Sequence, residues 1–177
     1  MPSLRITSGS LRGRRIPVPP QDVRPTSERA RQAYFNIVGE RIRGARFLDL
    51  FAGSGAFAFE AVSRGAASAV AVDSSRRNIA AIDKLAKEWD VPVKGVAADV
   101  FSVRDGADLV YADPPYDFGR YDDLLLAIDR LPLPEDALVA IEHRRRHEAF
   151  TAKPERLTEE RRAEYGEVWI TFFRRNR

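Results

Sequence analysis

Residues 46–55, with the sequence RFLDLFAGSG, decide the fold of this chain. The apolar residues up to Phe51 predict a buried strand, and the pattern of residues 57–64 predicts a helix after the glycines. A strand, a Gly-x-Gly turn and a helix bring backbone N–H groups close to a ligand, because glycine has no side chain that keeps the ligand away. The stretch therefore predicts a cofactor site formed by Phe51, Gly53, Ser54 and Gly55.

Carboxylates lie before this turn and after the next two predicted strands. Asp49 precedes the first glycine by four residues, where it can bind the amino-acid end of a cofactor. The strand at 69–72 ends at Asp73, about 20 positions past the glycines, which is where an acid binds a ribose diol. A third strand at 91–97 leads to Asp99, a candidate acceptor for an adenine amino group. The cofactor residues predicted at these positions are Asp49, Asp73, Ser74, Asp99 and Val100.

The tetrapeptide Asp113-Pro114-Pro115-Tyr116 follows a fourth predicted strand at 107–112. Its prolines remove two N–H donors and stiffen the backbone, so that the Asp113 carboxylate and the Pro114 carbonyl can accept from one amino group. Two acceptors draw a conjugated nitrogen towards tetrahedral geometry, which frees its lone pair to attack an electrophilic carbon held in line. Tyr116 offers a face for stacking. The whole tetrapeptide is predicted to be catalytic, with Asp113 also beside the cofactor; a rigid surface turn is the alternative.

The glycine pattern Gly53-x-Gly55-x-x-Ala58 by itself also fits the dinucleotide fingerprint of dehydrogenases. Three features favour S-adenosylmethionine instead. They are the acid at Asp49, the second acid at Asp99 and the amine-binding tetrapeptide at the end of the fourth strand. We therefore predict S-adenosylmethionine as the cofactor and methyl transfer to an amino group as the reaction.

Composition places the chain among ordinary soluble proteins. With 177 residues, 44% hydrophobic and 31% charged, the chain suits one domain with a small appendage. No apolar run near 18 residues and no signal-peptide pattern occur, so we expect a cytoplasmic protein without membrane association. The sequence has no cysteine, and its two histidines, His143 and His147, lie among arginines. We therefore expect no disulfide and no metal site.

Positive charge is concentrated in the first 46 residues. Ten arginines there face three acids, so the segment carries +7 and the remainder −4, against a total of +3. Short β-like runs at residues 4–6 and 11–18, separated by Ser8-Gly9-Ser10, predict a hairpin. Because arginine pairs with phosphate and stacks on bases, this segment predicts a polyanionic partner, with a merely solvated basic face as the alternative. The predicted RNA-binding residues are Arg5, Arg12, Arg14, Arg15, Arg24 and Arg29.

The remaining elements complete an α/β pattern. Thr26 or Ser27 is predicted to cap an amphipathic helix that leaves Arg31 free for an anion. A fifth strand at 137–141 precedes Glu142, and residues 157–173 predict a closing hairpin. Alternating strands and helices of this kind predict a doubly wound, mostly parallel sheet.

The motifs resemble those of a known family. Residues 47–55 together with the tetrapeptide 113–116 are similar to the motif pair of class I amino-methyltransferases. Residues 5–9, 12–14 and 24–26, with 60–65 and Tyr165-Gly166, resemble the bacterial 16S rRNA guanine-N2 methyltransferases that modify guanine 966. The resemblance covers nearly the whole chain. It implies a Rossmann-like class I methyltransferase fold, a seven-stranded sheet with an antiparallel closing hairpin, and a small N-terminal β-hairpin extension.

The resemblance also implies roles for individual residues. Gly53 and Gly55 would approach the methionine part of S-adenosylmethionine, with Asp73 at the ribose and Asp99 at the adenine. Asp113 and Pro114 would bind the guanine amino group, and Tyr116 would stack on the flipped base. The family often has a second acid two residues beyond the ribose carboxylate, where this chain has Ser75.

The expected partner is 16S rRNA, within the small ribosomal subunit or an assembly intermediate of it. We expect a monomer whose residues 1–25 form an RNA-binding extension and whose residues 26–177 form the methyltransferase domain. A DNA adenine-N6 or cytosine-N4 methyltransferase is one alternative, although the chain has little room for a target-recognition region. A protein-glutamine methyltransferase would use the same tetrapeptide chemistry, but the basic hairpin favours nucleic acid. A non-catalytic RNA-binding module with a methyltransferase-like fold is the last alternative.

Overall fold

The computed structural model describes residues 2–18, 25–144 and 150–177. Seven strands form one sheet in the order β5-β4-β3-β6-β7-β9-β8, while β1 and β2 form a separate two-stranded sheet. Strands β3 to β7 are parallel to one another, and β9 is antiparallel to both β7 and β8. This arrangement confirms the predicted Rossmann-like class I methyltransferase fold with its closing hairpin. The strands are β1 Ser3–Arg5, β2 Arg15–Pro17, β3 Arg46–Leu50, β4 Ser68–Asp73, β5 Val93–Ala97, β6 Leu109–Ala112, β7 Leu138–Arg144, β8 Leu157–Tyr165 and β9 Val168–Arg175.

Among the described residues, four α-helices cover the sheet, namely α1 Pro25–Val38, α2 Ala56–Ser63, α3 Arg76–Trp89 and α4 Tyr121–Asp129. Successive residues of a strand point to opposite faces, and β3 divides its side chains in this way. Phe47 belongs to the core beneath α1, α2 and α3, whereas Leu48 and Leu50 belong to the core beneath α4. Asp49 therefore points to the same side of the sheet as Phe47. None of the described helices is long and apolar enough to cross a membrane.

The N-terminal hairpin is shorter in its strands than the sequence predicted. Its second strand is confined to Arg15–Pro17, and residues 11–14 belong to a wide loop instead of continuing the strand. The reason is that the loop bonds to α2. Ser63 accepts backbone hydrogen bonds from Ser10 at its carbonyl and from Leu11 at its hydroxyl, each 2.9 Å long. Gly9 approaches so closely that a Cβ atom there would lie 1.8 Å from the Ser63 carbonyl oxygen.

Helix α1 begins at Pro25, so Thr26 and Ser27 lie within its first turn and not at the position before it, where they were predicted. Proline is favoured at this position because its missing N–H has no partner inside a helix. The residue that precedes the helix, Arg24, lies outside the described residues, as does His147. The predicted RNA-binding role of Arg24 therefore stays a prediction.

Arg31 is buried, so the prediction that it is free for an anion was wrong. Only 1% of the residue is exposed. Its Nη2 donates to the carbonyl of Arg5 at 2.7 Å, and its Nε lies 3.6 Å from a carboxylate oxygen of Glu60. Burial lowers the pKa of Arg31, and the charges of Glu60 and Glu28 oppose that shift. The guanidinium thus joins α1 to the hairpin and to α2.

Glu60 is the centre of this buried network. It is fully buried and accepts hydrogen bonds from the backbone N–H and the hydroxyl of Thr7. Arg64 donates to it from Nε at 3.1 Å. A buried charge is tolerated when it is paired and hydrogen-bonded, and here one carboxylate meets two guanidinium groups. The network fastens the hairpin to the body of the protein.

The two outer strands of the large sheet differ in how they face solvent. Strand β8 exposes charged side chains over residues 159–162, and its pairing with β9 is irregular between Glu159 and Arg161. At the other edge, the backbone N–H of Gly95 in β5 donates to the Asp83 carboxylate of α3 at 2.7 Å. A Cβ atom on Gly95 would lie 2.8 Å from Ile79, so this close packing of α3 on β5 depends on glycine.

Candidate functional site

A cleft of about 450 Å³ opens where β3, β6 and β7 end at their carboxyl termini. Sites in open α/β sheets form at such strand ends. The hairpin, α1, the glycine turn and the tetrapeptide all contribute side chains to the same cleft. Its lining comprises Leu4, Arg31, Asp49, Phe51, Ala52, Gly53, Ser54, Ala56, Phe57, Asn78, Tyr111, Asp113, Pro114, Pro115, Tyr116, Glu142, Arg144 and Val168.

Asp49 lies at the inner end of the cleft with 2% of its surface exposed. The backbone N–H of Ala58 donates to its carboxylate at 3.3 Å. Burial raises the pKa of Asp49 to about 8, the nearby charge of Asp73 adds to the rise, and the Ala58 hydrogen bond opposes it. An acid with this pKa retains its proton near neutral pH until a positive ligand arrives.

We expect Asp49 to make the ligand-free protein less stable as the pH rises from about 4 to about 8. Across this window the folded protein retains the Asp49 proton and the unfolded chain has lost it. The unfolding free energy therefore falls by up to roughly 1.4 kcal/mol per pH unit. Asp49→Asn cannot titrate, so its stability relative to the unsubstituted protein should increase towards pH 8. Urea denaturation of both proteins across this range measures the difference, and parallel pH profiles would contradict the assignment.

The glycine turn is shaped by its backbone and by Asp73. Phe51, Gly53 and Gly55 have φ values of 61°, 57° and 81°, a region that favours glycine. The Asp73 carboxylate accepts from the Gly53 N–H at 2.9 Å and from the Ser75 N–H at 2.8 Å. Asp73 therefore positions the turn that approaches the cleft, besides its predicted role at a ribose.

The tetrapeptide begins where β6 ends. The Asp113 N–H donates to the Leu50 carbonyl at 3.4 Å, which continues the pairing with β3 beyond the strand. Tyr116 is 66% exposed, and the guanidinium carbon of Arg144 lies 5.6 Å from the centre of its ring. An exposed aromatic ring at the mouth of a cleft is available for stacking with a planar group.

Phe118 supports the loop that carries the tetrapeptide. Its ring contacts Phe51 edge-on at 5.3 Å between centroids, and Tyr121 in the same manner at 5.6 Å. It also stacks on Phe101, which lies just after β5, with 6.2 Å between the ring centroids. Phe118 had no predicted role, because only the fold brings Phe51 and Phe101 together around it.

Several predicted cofactor residues are not in the lining of this cleft. Within the described chain, Asp73 and Gly55 are not among the residues that line the cleft. Asp73 instead accepts a hydrogen bond from the Gly53 N–H of the glycine turn, and Gly55 is part of that turn. Asp99 is exposed and accepts from the Phe101 N–H at 2.8 Å, where it caps a short 3-10 helix. Ser75, at the place where the family often has a second acid, caps α3 by accepting from the Asn78 N–H. The remaining two predicted cofactor residues outside the lining are Ser74 and Val100.

Tyr111 and Glu142 are site residues that the sequence did not assign. The buried Tyr111 hydroxyl donates to the Glu142 carboxylate, and both side chains line the cleft beside Asp113. Burial raises the pKa of Tyr111 well above its ordinary value, with the charges of Glu142 and Asp113 adding to the rise. The sequence did contain a signal for Tyr111. Residues two apart in a strand point to the same face of the sheet, so Tyr111 lies on the same face as Asp113.

The predicted RNA-binding arginines Arg5, Arg12, Arg14, Arg15 and Arg29 are all exposed. They do not form one cluster. Helix α2 begins in the cleft at Ala56 and ends at Ser63, where it contacts the hairpin loop. Its eight residues span about 12 Å, so the loop lies well away from the cleft. Arg14 lies there over the Trp89 ring at 5.4 Å, whereas Arg5 pairs with Glu28 of α1 at 3.6 Å.

The part of the chain that the structure describes contains no cluster of side chains that could bind a metal ion. No group of three His, Asp or Glu side chains is arranged to bind a metal ion there. His143, on β7, is buried and shares a hydrogen bond of 2.7 Å with the Thr171 hydroxyl on β9.

Comparisons with known proteins relate the chain to methyltransferases. Residues 4–174 match the family described as conserved hypothetical protein 95. The ribosomal RNA small subunit methyltransferase D of Escherichia coli K12 is 35% identical over 150 residues, which cover 78% of this chain and 74% of that protein. The protein of the same name from Haemophilus influenzae is 28% identical over 151 residues, covering 78% of each chain.

Solved structures show the same relationship. The candidate methyltransferase yhhF of Escherichia coli superposes with a TM-score of 0.86 at 28% identity, covering 99% of both chains. SMU.776, a candidate methyltransferase complexed with SAH, has a TM-score of 0.67 at 16% identity and covers 86% of this chain and 50% of its own, which shows the fold alone. The family match over nearly the whole length and the 35% identity agree with the paired motifs in the sequence. The chain therefore belongs to the conserved hypothetical protein 95 family, together with the ribosomal RNA small subunit methyltransferase D proteins.

Proposed function

We propose that the protein transfers a methyl group from S-adenosylmethionine to the exocyclic N2 of a guanine in 16S rRNA, of the guanine 966 type. The observation that carries this proposal is that the glycine turn and the Asp-Pro-Pro-Tyr tetrapeptide open into one cleft. A cofactor site and an amine-binding site are thus adjacent. The names of the relatives support rRNA as the substrate class, and such a substrate fits a cytoplasmic protein.

The cleft suits a cofactor that carries positive charge. The carboxylates of Asp49, Asp113 and Glu142 outnumber the guanidinium groups of Arg31 and Arg144 in its lining. Asp49 shifts to its charged form when a cation binds nearby. Gly53 and Ser54 expose the turn to the ligand. When bound, S-adenosylmethionine supplies the methyl group that is transferred. Asp73 and Asp99 remain the proposed contacts for its ribose and adenine.

The tetrapeptide prepares the amino group for attack. Asp113 and the carbonyl of Pro114 accept hydrogen bonds from guanine N2 and direct its lone pair at the methyl carbon. A nitrogen–carbon bond forms as the sulfur–carbon bond breaks, without a covalent intermediate on the enzyme. Asp113 then accepts the proton that N2 loses. Tyr116, at the exposed mouth, stacks on the base after it leaves its helix.

We expect the arginines of the hairpin loop to bind rRNA outside the target nucleotide. Arg12→Ala/Arg14→Ala should weaken rRNA binding and reduce the slope of log affinity against log salt by about 1.5, because each phosphate contact releases counterions. Filter binding at several salt concentrations measures this slope. Arg130→Ala, which removes an exposed arginine after α4, is the matched control. An unchanged slope in the double variant would remove the loop from the RNA interface.

The proposed reaction is tested by methyl transfer from labelled S-adenosylmethionine to small ribosomal subunits that lack the modification. Mass spectrometry should identify N2-methylguanosine confined to 16S rRNA. Comparison of naked 16S rRNA, assembly intermediates and complete subunits identifies the substrate form. Label in DNA adenine or cytosine would overturn the rRNA assignment while retaining the tetrapeptide chemistry. Cofactor binding without transfer to any of these substrates would favour a binding module.

A further inference from the structure

We infer that Glu142 is a specificity-determining residue that selects guanine by accepting a hydrogen bond from its N1–H. This inference rests on the proposed function, since it concerns the base that enters the same cleft. It adds a second point of recognition beside the amino group that Asp113 and Pro114 bind. Neither the resemblance nor the comparisons assign Glu142 a role.

The pairing of β6 with β7 places Glu142 next to Asp113. The two strands are parallel, with Tyr111 beside Ala140 and Ala112 beside Ile141. Continuing this register by one residue brings Asp113 beside Glu142, on strands that lie about 4.8 Å apart. Both side chains line the cleft. A guanine whose amino group is bound at Asp113 can therefore turn its N1 edge towards Glu142.

Tyr111 orients the Glu142 carboxylate. The Tyr111 side chain is fully buried, with its ring stacked on Phe57 at 3.8 Å between centroids and edge-on to Tyr34 at 4.9 Å. Its hydroxyl, which is fixed by this packing, donates to Glu142. A carboxylate has about four acceptor positions, so this hydrogen bond orients the group without exhausting its capacity to accept others.

The chemistry of the bases explains why a carboxylate at this place favours guanine. In guanine two ring nitrogens flank the amino-bearing carbon, and one of them, N1, carries a hydrogen and donates, whereas the other, N3, has a lone pair. In adenine and cytosine the corresponding ring nitrogen next to the amino group has a lone pair, which a carboxylate repels. A site built to hydrogen-bond one group rejects an analogue that lacks it, because a polar group is then left unpaired. Glu142 thus distinguishes guanine from the other bases that offer an amino group.

The test uses 2-aminopurine, which has the guanine amino group but a lone pair at N1. A 16S rRNA is ligated with guanosine or 2-aminopurine riboside at the modified position, and kcat/KM is measured for both. For the unsubstituted enzyme we expect guanosine to be favoured roughly 100-fold. Glu142→Gln, whose amide can donate to the N1 lone pair, should reduce this ratio to below about tenfold. The two bases also differ at O6, but that difference acts in both enzymes, so the change in ratio reports Glu142.

Two further variants separate recognition from folding. Tyr111→Phe removes the orienting hydroxyl and should lower the guanosine preference partially, which provides a second measurement if Glu142→Gln does not fold. Glu135→Gln, an exposed site just before β7, is the matched control and should keep the full preference. A ratio unchanged in Glu142→Gln, or in Tyr111→Phe where Glu142→Gln does not fold, would overturn the inference while leaving the proposed function intact. Failure of the unsubstituted enzyme to form N2-methylguanosine would overturn both.

Discussion

Replacement of Asp113 by alanine is expected to reduce methyl transfer by roughly 10³-fold while changing the affinity for S-adenosylmethionine by less than about tenfold. Asp113 follows β6 directly, its N–H is bonded to the Leu50 carbonyl, and its side chain lines the cleft. The carboxylate is thus held by a rigid backbone where it directs the lone pair of the amino nitrogen. Without this carboxylate the amino nitrogen that receives the methyl group is no longer oriented, whereas Asp49 and the glycine turn remain to bind the cofactor.

Single-turnover rates with a saturating rRNA substrate measure the transfer step, and calorimetry with S-adenosylmethionine measures cofactor affinity. Asp113→Asn retains one acceptor oxygen and should lose less activity than Asp113→Ala. Asp117→Ala, an exposed position in the same loop, is the matched control and should keep nearly full activity. Equal rates for Asp113→Ala and the unsubstituted enzyme would refute the role of the tetrapeptide.

Removal of the Glu60 carboxylate is expected to be the most destabilising single change in the hairpin interface. Glu60→Ala leaves the buried Arg31 guanidinium without its counter-charge and removes the acceptor for Thr7 and Arg64. Breaking a buried ion pair by deleting one partner costs about 3–5 kcal/mol. For a protein of this size such a loss lowers the melting temperature by roughly 10 °C.

Thermal and urea denaturation of Glu60→Ala measure this effect. Glu28→Ala is the matched control, because the Glu28 pair with Arg5 also joins α1 to the hairpin but is substantially exposed to solvent. An exposed pair contributes about 0–1 kcal/mol, so Glu28→Ala should melt within a few degrees of the unsubstituted protein. Similar losses of stability in the two variants would show that the buried network contributes no more to stability than the exposed ion pair.

The sequence predicted the fold and the main elements of the site because local signals determined them. Buried strands, the glycines after β3 and the prolines after β6 can each be recognised from a few neighbouring residues. The parallel order of the strands then brings the ends of these strands together. The side chains or backbone of Asp49, Gly53 and Asp113 could therefore be assigned to one strand-end cleft from sequence patterns alone.

The remaining features depend on contacts between distant segments. The amphipathic pattern of α1 did not show that Arg31 faces Glu60, which is 29 positions further along the chain. The hairpin loop departs from strand geometry because Ser63 accepts its backbone N–H groups. The pairing of Tyr111 with Glu142 follows from the register of β6 against β7, which neither segment specifies alone.

The outer strands have a consequence for how molecules of this protein meet one another. Strand β8 combines charged side chains with an irregular register, and in β5 the Gly95 N–H already donates to Asp83. These devices oppose the addition of a strand from a second molecule, which is the usual route to edge-to-edge aggregation. Growth of the sheet from one molecule into the next is thereby discouraged at high concentration.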